Sequence, residues 1–326
     1  LDANPAGSGK GGLACVFNDQ VAVKGLTIEG VAFRKFTAPV RITDAPRGQH
    51  ISNVTVFGPD NTYQVGRAGF ECASTGALAL GSFGGFWQDV MVANYEWGWR
   101  YSIAAALEGE TFTTCNAYNG WGGWQVNVTA ANSYLSLLWS FNDCDWQGLG
   151  FGLDLSRCRL VTVRGGFWIV NLNPGAIAPP NGAPRRRALS FKGCQTVRCN
   201  SIQIAHQPGQ TDLVGLVHCD STCYDVLFRD ISIISFSQCY AGFEIETNTL
   251  PNVVREQNTK WQTWQGSAGA SNSGPKVLDA GGNQAMETVA LAAQPTVGSA
   301  LGALNANGRY DINGFGNFTT DSAGRV

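Results

Sequence analysis

Three tryptophan-rich segments, two of which carry carboxylates, hold the side chains in this 326-residue sequence that best suit chemistry. They read Asn94-Tyr95-Glu96-Trp97-Gly98-Trp99, Tyr118-Asn119-Gly120-Trp121-Gly122-Gly123-Trp124 and Asp143-Cys144-Asp145-Trp146. Of 10 tryptophans in the chain, eight lie between positions 87 and 168, so the enrichment is local. Alignment on Trp97, Trp121 and Trp146 gives intervals of 24 and 25 residues, which predicts a ladder of rings down one side of a repeating structure. Indole faces stack on the C–H faces of sugar rings, and glycine-flanked tryptophan in a turn suits deep burial poorly. The expected sugar-binding set is Trp97, Trp99, Trp121, Trp124, Trp146, Tyr95, Tyr118, Asn119 and Arg100. The competing reading is a structural stack in which the rings pack on one another.

Hydrolysis of a glycosidic bond needs two carboxyl groups, one as acid and the other as base or nucleophile. Glu96 and Asp145 each stand immediately before a ladder tryptophan, 49 residues and two repeats apart. Two strand spacings are roughly 9.5 Å, the upper end of the roughly 6.5–9.5 Å separation in inverting enzymes. Asp143 competes with Asp145 for the same face, with turn capping as its other role, and Glu108 and Glu110 follow as candidates. Arg100 and Arg157 suit a sugar carboxylate or sulfate, whereas Asp154, Glu244 and Glu246 read as ordinary surface charge. A lyase would instead call on Tyr95, Tyr101 or Tyr118 as base. His50, His206 and His218 are scattered without metal or triad spacing, and none of the 10 cysteines forms a Cys-x-x-Cys pair. No metal and no cofactor are therefore expected, and most cysteines read as reduced, buried small hydrophobes.

The elements that position these side chains follow from a repeat. A short phrase recurs, often Asn or Asp followed by an alternating apolar strand: Asn53-Val54-Thr55-Val56, Asp89-Val90-Met91-Val92, Leu160-Val161-Thr162-Val163, Asn200-Ser201-Ile202-Gln203-Ile204, Asp225-Val226-Leu227-Phe228 and Asn252-Val253-Val254. Thr111-Phe112-Thr113 and Ser136-Leu137-Leu138-Trp139 are weaker copies. A second short strand precedes each phrase, as in Val40-Arg41-Ile42, Trp124-Gln125-Val126, Leu153-Asp154-Leu155, Leu189-Ser190-Phe191 and Phe243-Glu244-Ile245. Units lie about 24 to 27 residues apart, with longer intervals through 57–77 and 171–187 that read as loops. Such units are too short for a βαβ crossover or a propeller blade. They predict an all-β chain, a right-handed single-stranded parallel β-helix with apolar side chains inside at alternate positions and Asn or Asp at left-handed turns. Charged residues are 14% of the chain, and 22 basic against 24 acidic side chains leave no electrostatic footprint for nucleic acid. No apolar run has the length of a membrane helix, so no membrane insertion is expected.

This repeat resembles the pectate-lyase-like β-helix superfamily, and within it the bacteriophage tailspikes and polysaccharide depolymerases, over about residues 20–260. The resemblance implies a protein that binds and depolymerises a bacterial surface polysaccharide: capsule, O-antigen or exopolysaccharide. It further implies a homotrimer, folded in the bacterial cytoplasm without a signal peptide, that acts outside the cell on the virion tail. A receptor-binding β-helix that grips glycan without chemistry is the alternative from another class. Residues 1–19 read as an N-terminal arm or linker, 20–265 as the carbohydrate-binding β-helix, and 266–326 as a hinge plus a C-terminal capping or trimerisation appendage.

Overall fold

Short strands that are apolar at alternate positions cannot bury their inner faces alone, and each needs an equivalent strand beside it. The computed structural model describes residues 13–16, 26–30, 32–34, 40–43, 49–58, 64–74, 82–104, 107–129, 136–170, 186–206, 215–235, 241–246, 254–262 and 277–279. Among them the chain is all-β, without a helix, and forms three sheets of 10, 9 and 11 strands in which every pairing is parallel. This architecture is consistent with a parallel β-helix. The expected N-terminal arm and the hinge with its C-terminal segment fall almost wholly outside the described residues.

The chain visits the sheets in rotation. Strand Gln49–Ser52 belongs to the eleven-stranded sheet, Thr55–Phe57 to the nine-stranded one and Gln64–Ser74 to the ten-stranded one. Phe86–Gln88, Met91–Ala93 and Tyr95–Ile103 repeat that order, as do the later circuits down to Val254–Gln257, Lys260–Gln262 and Val277–Asp279. In-register pairing then stacks like positions into interior columns. The ten-stranded sheet aligns Val40, Phe70, Trp99, Trp124, Leu153, Leu189, Val217 and Phe243. The eleven-stranded sheet aligns Ile51, Trp87, Phe112, Phe141, Val163, Cys199 and Phe228. Trp99 and Trp124 stack at 4.6 Å and 2°, and Phe112 on Phe141 at 5.1 Å and 3°. Each such pair adds roughly 0.5–1.5 kcal/mol beyond its area.

Left-handed residues turn the chain from the eleven- to the nine-stranded sheet. Gly30, Asn53, Asp89, Thr114, Asp143, Gly165, Ser201, Asp230 and Asn258 all have φ between 49° and 65°, and successive members are joined through the backbone, as in Asp89 N to Thr113 O and Asp230 N to Gln257 O. Side chains link the column as well: Thr114 Oγ1 donates to Asp89 Oδ1, and Asn258 Nδ2 to Asp230 Oδ1. The recurring phrase of the sequence therefore has a basis, but it merged two positions. Asn53 and Asp89 turn into the nine-stranded sheet, whereas Leu160 and Asp225 sit inside strands Arg159–Arg164 and Tyr224–Arg229 of the eleven-stranded sheet. There Leu138, Leu160, Thr196 and Asp225 form a second left-handed column, with φ of 60°, 53°, 53° and 54°. The similar Asn/Asp preference of both positions hid the third strand of each circuit. Eight cysteines among the described residues are buried and free of disulfides.

Leucine is strained in left-handed backbone, and Leu160 is 45% exposed, so its side chain contributes little packing in return. Leu160→Asn is expected to raise the urea midpoint, by about 1 kcal/mol of stability. An unchanged or lowered midpoint would mean that the apolar side chain has a stabilising contact.

Candidate functional site

The tryptophans do not form the expected ladder. Trp97 pairs in register with Gly122, not Trp121, while Trp99 pairs with Trp124. Trp146 lies in the nine-stranded sheet between Ala117 and Trp168. Trp99, Trp124 and Trp146 fill the main core. Trp97 and Trp121 form a separate cluster with Ala68, Leu149 and Phe151, and are themselves only 4% and 2% exposed. The flanking glycines have the opposite effect to the one expected. A Cβ at Gly122 would collide with the Trp97 ring, and one at Gly150 with Trp121, so each glycine lets the preceding circuit's indole lie flat on the backbone. The structural-stack reading is thus the one that matches these rings. Arg186 lies 5.8 Å over the Trp121 ring, a cation–π contact.

The proposed carboxylate pair is also separated. Glu96 lies in strand Tyr95–Ile103 of the ten-stranded sheet, where its carboxylate accepts from Gly66 N. Asp145 opens strand Asp145–Gly148 of the nine-stranded sheet, and its Oδ1 accepts from Phe167 N at 2.7 Å. The two belong to different faces of the circuit because a full strand of the nine-stranded sheet precedes each strand of the ten-stranded one. Asp143 is a member of the left-handed column, its carboxylate lying against Gly165, which is the turn role. Glu108 is exposed on strand Leu107–Glu108, paired with Phe83 and Leu137. Tyr95 and Tyr101 are buried, and burial pushes both phenols up, as it does the half-buried Tyr118 beside the Asp145 charge. That direction opposes a base role. Asn119 donates from Nδ2 to Asn94 Oδ1 at 2.7 Å, and both have left-handed backbone, so this pair turns the chain.

Glu110 is the buried carboxylate, at 1% exposure. Trp87 Nε1 donates to its Oε2 at 2.7 Å, Tyr101 Oη to the same oxygen at 3.1 Å, and Gln49 Nε2 to Oε1 at 3.1 Å. A crevice beside it, lined by Ile42, Gln49, Cys72, Ala73, Tyr101 and Leu107, has room only for a water-sized molecule. Burial raises Glu110 above the ordinary glutamate range, although its three side-chain donors pull the other way. The arrangement ties neighbouring circuits together and gives a polymer no approach.

The surface that runs the length of the protein is the outward face of the ten-stranded sheet. Arg41, Glu71, Arg100, Gln125, Asp154, Ser190, His218 and Glu244 follow one another in register, one on each circuit. Their spacing is that of adjacent strands, about 4.8 Å. Glu71 Oε2 meets Arg41 Nη2 at 2.8 Å and its Oε1 meets Arg100 Nη2 at 2.7 Å, and these cations hold its carboxyl below the usual range despite partial burial. Asp154 Oδ1 accepts from Lys192 at 2.7 Å, and Glu244 Oε2 from Arg187 at 3.0 Å. The surface-charge reading of Asp154 and Glu244 gave no hint of this column, because alternation within one strand says nothing about what lies beside it. Among the described residues no group of three or more His, Cys, Asp or Glu is placed to hold a metal. Comparison with protein-family models, with curated proteins and with solved structures found no match.

A raised carboxyl binds its proton more tightly in the folded chain than in the unfolded one. Glu110 therefore contributes most stability below the ordinary glutamate range and loses that contribution as pH rises through its folded value. Thermal midpoints across pH 4–8 should fall more steeply in the wild type than in Glu110→Gln. The variant itself should be less stable by about 1–3 kcal/mol, since an amide cannot accept all three donors. Parallel pH profiles would show that Glu110 does not titrate across folding.

Proposed function

We propose that this chain is a right-handed, single-stranded parallel β-helix of the tailspike type that binds a bacterial surface polysaccharide along the outward face of its ten-stranded sheet. The supporting observation is the column from Arg41 to Glu244, with one polar or charged side chain per circuit. A linear glycan presents hydroxyls and acidic groups along its length, and a row of fixed donors and acceptors at a constant spacing suits such a ligand better than a compact one. The resemblance of the repeat to tailspikes supports a homotrimer carried on the virion tail. Hydrolysis by Glu96 with Asp145 is not part of this proposal, because the two carboxylates stand on different sheets.

Arg100 and Gln125 are the half-buried, adjacent members of the column near its middle. Affinity electrophoresis in gels containing capsule, O-antigen or exopolysaccharide should retard the intact chain in one of them. The double variant Arg100→Ala/Gln125→Ala should weaken that retention about tenfold, the effect of about 1.4 kcal/mol. Glu96→Gln/Asp145→Asn should leave it unchanged. Equal retention of both variants would place the glycan elsewhere.

A further inference from the structure

Ser190 and His218 are in-register partners on neighbouring strands Arg187–Lys192 and Gly215–Cys219. Leu189, Phe191, Val217 and Cys219, on either side of them in sequence, belong to the core, so Ser190 and His218 stand on the outward face. Both are covered, at 0% and 3% exposure, and each has a buried polar atom without a partner: Ser190 Oγ and His218 Nδ1. Such unmatched atoms are uncommon in folded proteins and need a physical reason.

The other ring nitrogen supplies it. His218 Nε2 lies 2.9 Å from Glu246 Oε1. An ionised carboxylate only accepts, so Nε2 carries the proton, and Nδ1 of the neutral ring is left as a lone-pair acceptor. Burial and the Arg187 charge hold His218 below the ordinary histidine range, against the opposing pull of Glu246 and Glu244, so the neutral ring is the form present near neutral pH. An unprotonated nitrogen thus stands one strand, about 4.8 Å, from a hydroxyl with no acceptor. Arg187, on the same strand as Ser190, binds Glu244 through Nη2 and leaves a buried Nε unmatched, a fixed donor for negative charge.

We infer that Ser190, His218 and Glu246 are the nucleophile, base and positioning residue of an acyl-transfer site that removes O-acyl groups from the bound polysaccharide. The substrate class rests on the polysaccharide reading, whereas the chemistry rests on this trio. Ser190 Oγ adds to the ester carbonyl as its proton passes to His218 Nδ1. The C–O bond to the sugar then breaks, and the departing sugar oxygen takes that proton. Water, deprotonated by the same nitrogen, adds to the acyl-serine, and the acid leaves as Ser190 regains its proton.

The full chain is tested with 4-nitrophenyl acetate, an O-acetylated polysaccharide and a small fluorophosphonate label, small probes being the first choice for covered side chains. The label should modify Ser190, as read by peptide mass spectrometry. Ser190→Ala should lose about a thousandfold in ester hydrolysis with its thermal midpoint unchanged. Glu246→Gln should move the acid limb of kcat/KM to lower pH, because the carboxylate that raises His218 is gone, while Arg187 remains. No label on Ser190, or full activity in Ser190→Ala, would overturn the inference. An intact chain that binds polysaccharide but cleaves no ester leaves the binding proposal standing alone. Labelled Ser190 and ester hydrolysis without polysaccharide retention would remove the glycan as substrate and leave the acyl-transfer chemistry.

Discussion

Parallel, in-register pairing of each strand with its counterpart one circuit away is the constraint on which the rest of this protein depends. It places like positions about one strand spacing apart, and that single distance selects what each column tolerates. Inside, planar rings stack on rings, as Trp99 does on Trp124 and Phe112 on Phe141. At turns, backbone groups of successive circuits bond each other only if the residue there accepts left-handed dihedrals, which explains the run from Gly30 to Asn258. Where an indole crosses the backbone of the next circuit, as Trp97 does over Gly122, no side chain fits beneath it.

The same spacing organises the charges. Outward side chains in one column are near enough for ion pairs, so Glu71 is shared between Arg41 and Arg100, and Asp225 between Arg198 and Arg255. These pairs are partly solvated and individually weak. Their consequence is orientation: each holds a long side chain against the sheet. Inside, the one buried carboxylate among the described residues, Glu110, meets only uncharged side-chain donors, which satisfy its oxygens without cancelling the cost of burying its charge.

Much of the fold was legible in the sequence because short-range patterns carry it. Alternating apolar residues marked the strands around Leu153, Leu189 and Phe243, and Asn or Asp marked the turns at Asn53, Asp89 and Asp230. The third strand of each circuit was not legible, since residues such as Asn116–Tyr118 and Asp145–Gly148 are short and carry no turn signal of their own. The tryptophan alignment failed by one residue. A spacing of 24 matched Trp97 to Trp121, whereas the ladder pairs Trp97 with Gly122. A one-residue shift reverses the face of a strand, and here it also exchanges a core ring for one in the outer cluster.

The sequence by itself determined the all-β architecture, the approximate repeat and the alternation that separates core from surface, because each is encoded within a few neighbouring residues. Only the tertiary structure decided which side chains meet. Glu96 and Asp145 share a local motif yet belong to different sheets. Ser190, His218 and Glu246 share no motif, and His218 lacked any triad spacing along the chain. Parallel register nevertheless places Ser190 beside His218, and the next circuit brings Glu246 to the imidazole. Contacts between circuits depend on the exact length of every intervening loop and turn, a sum over many residues that no local pattern records.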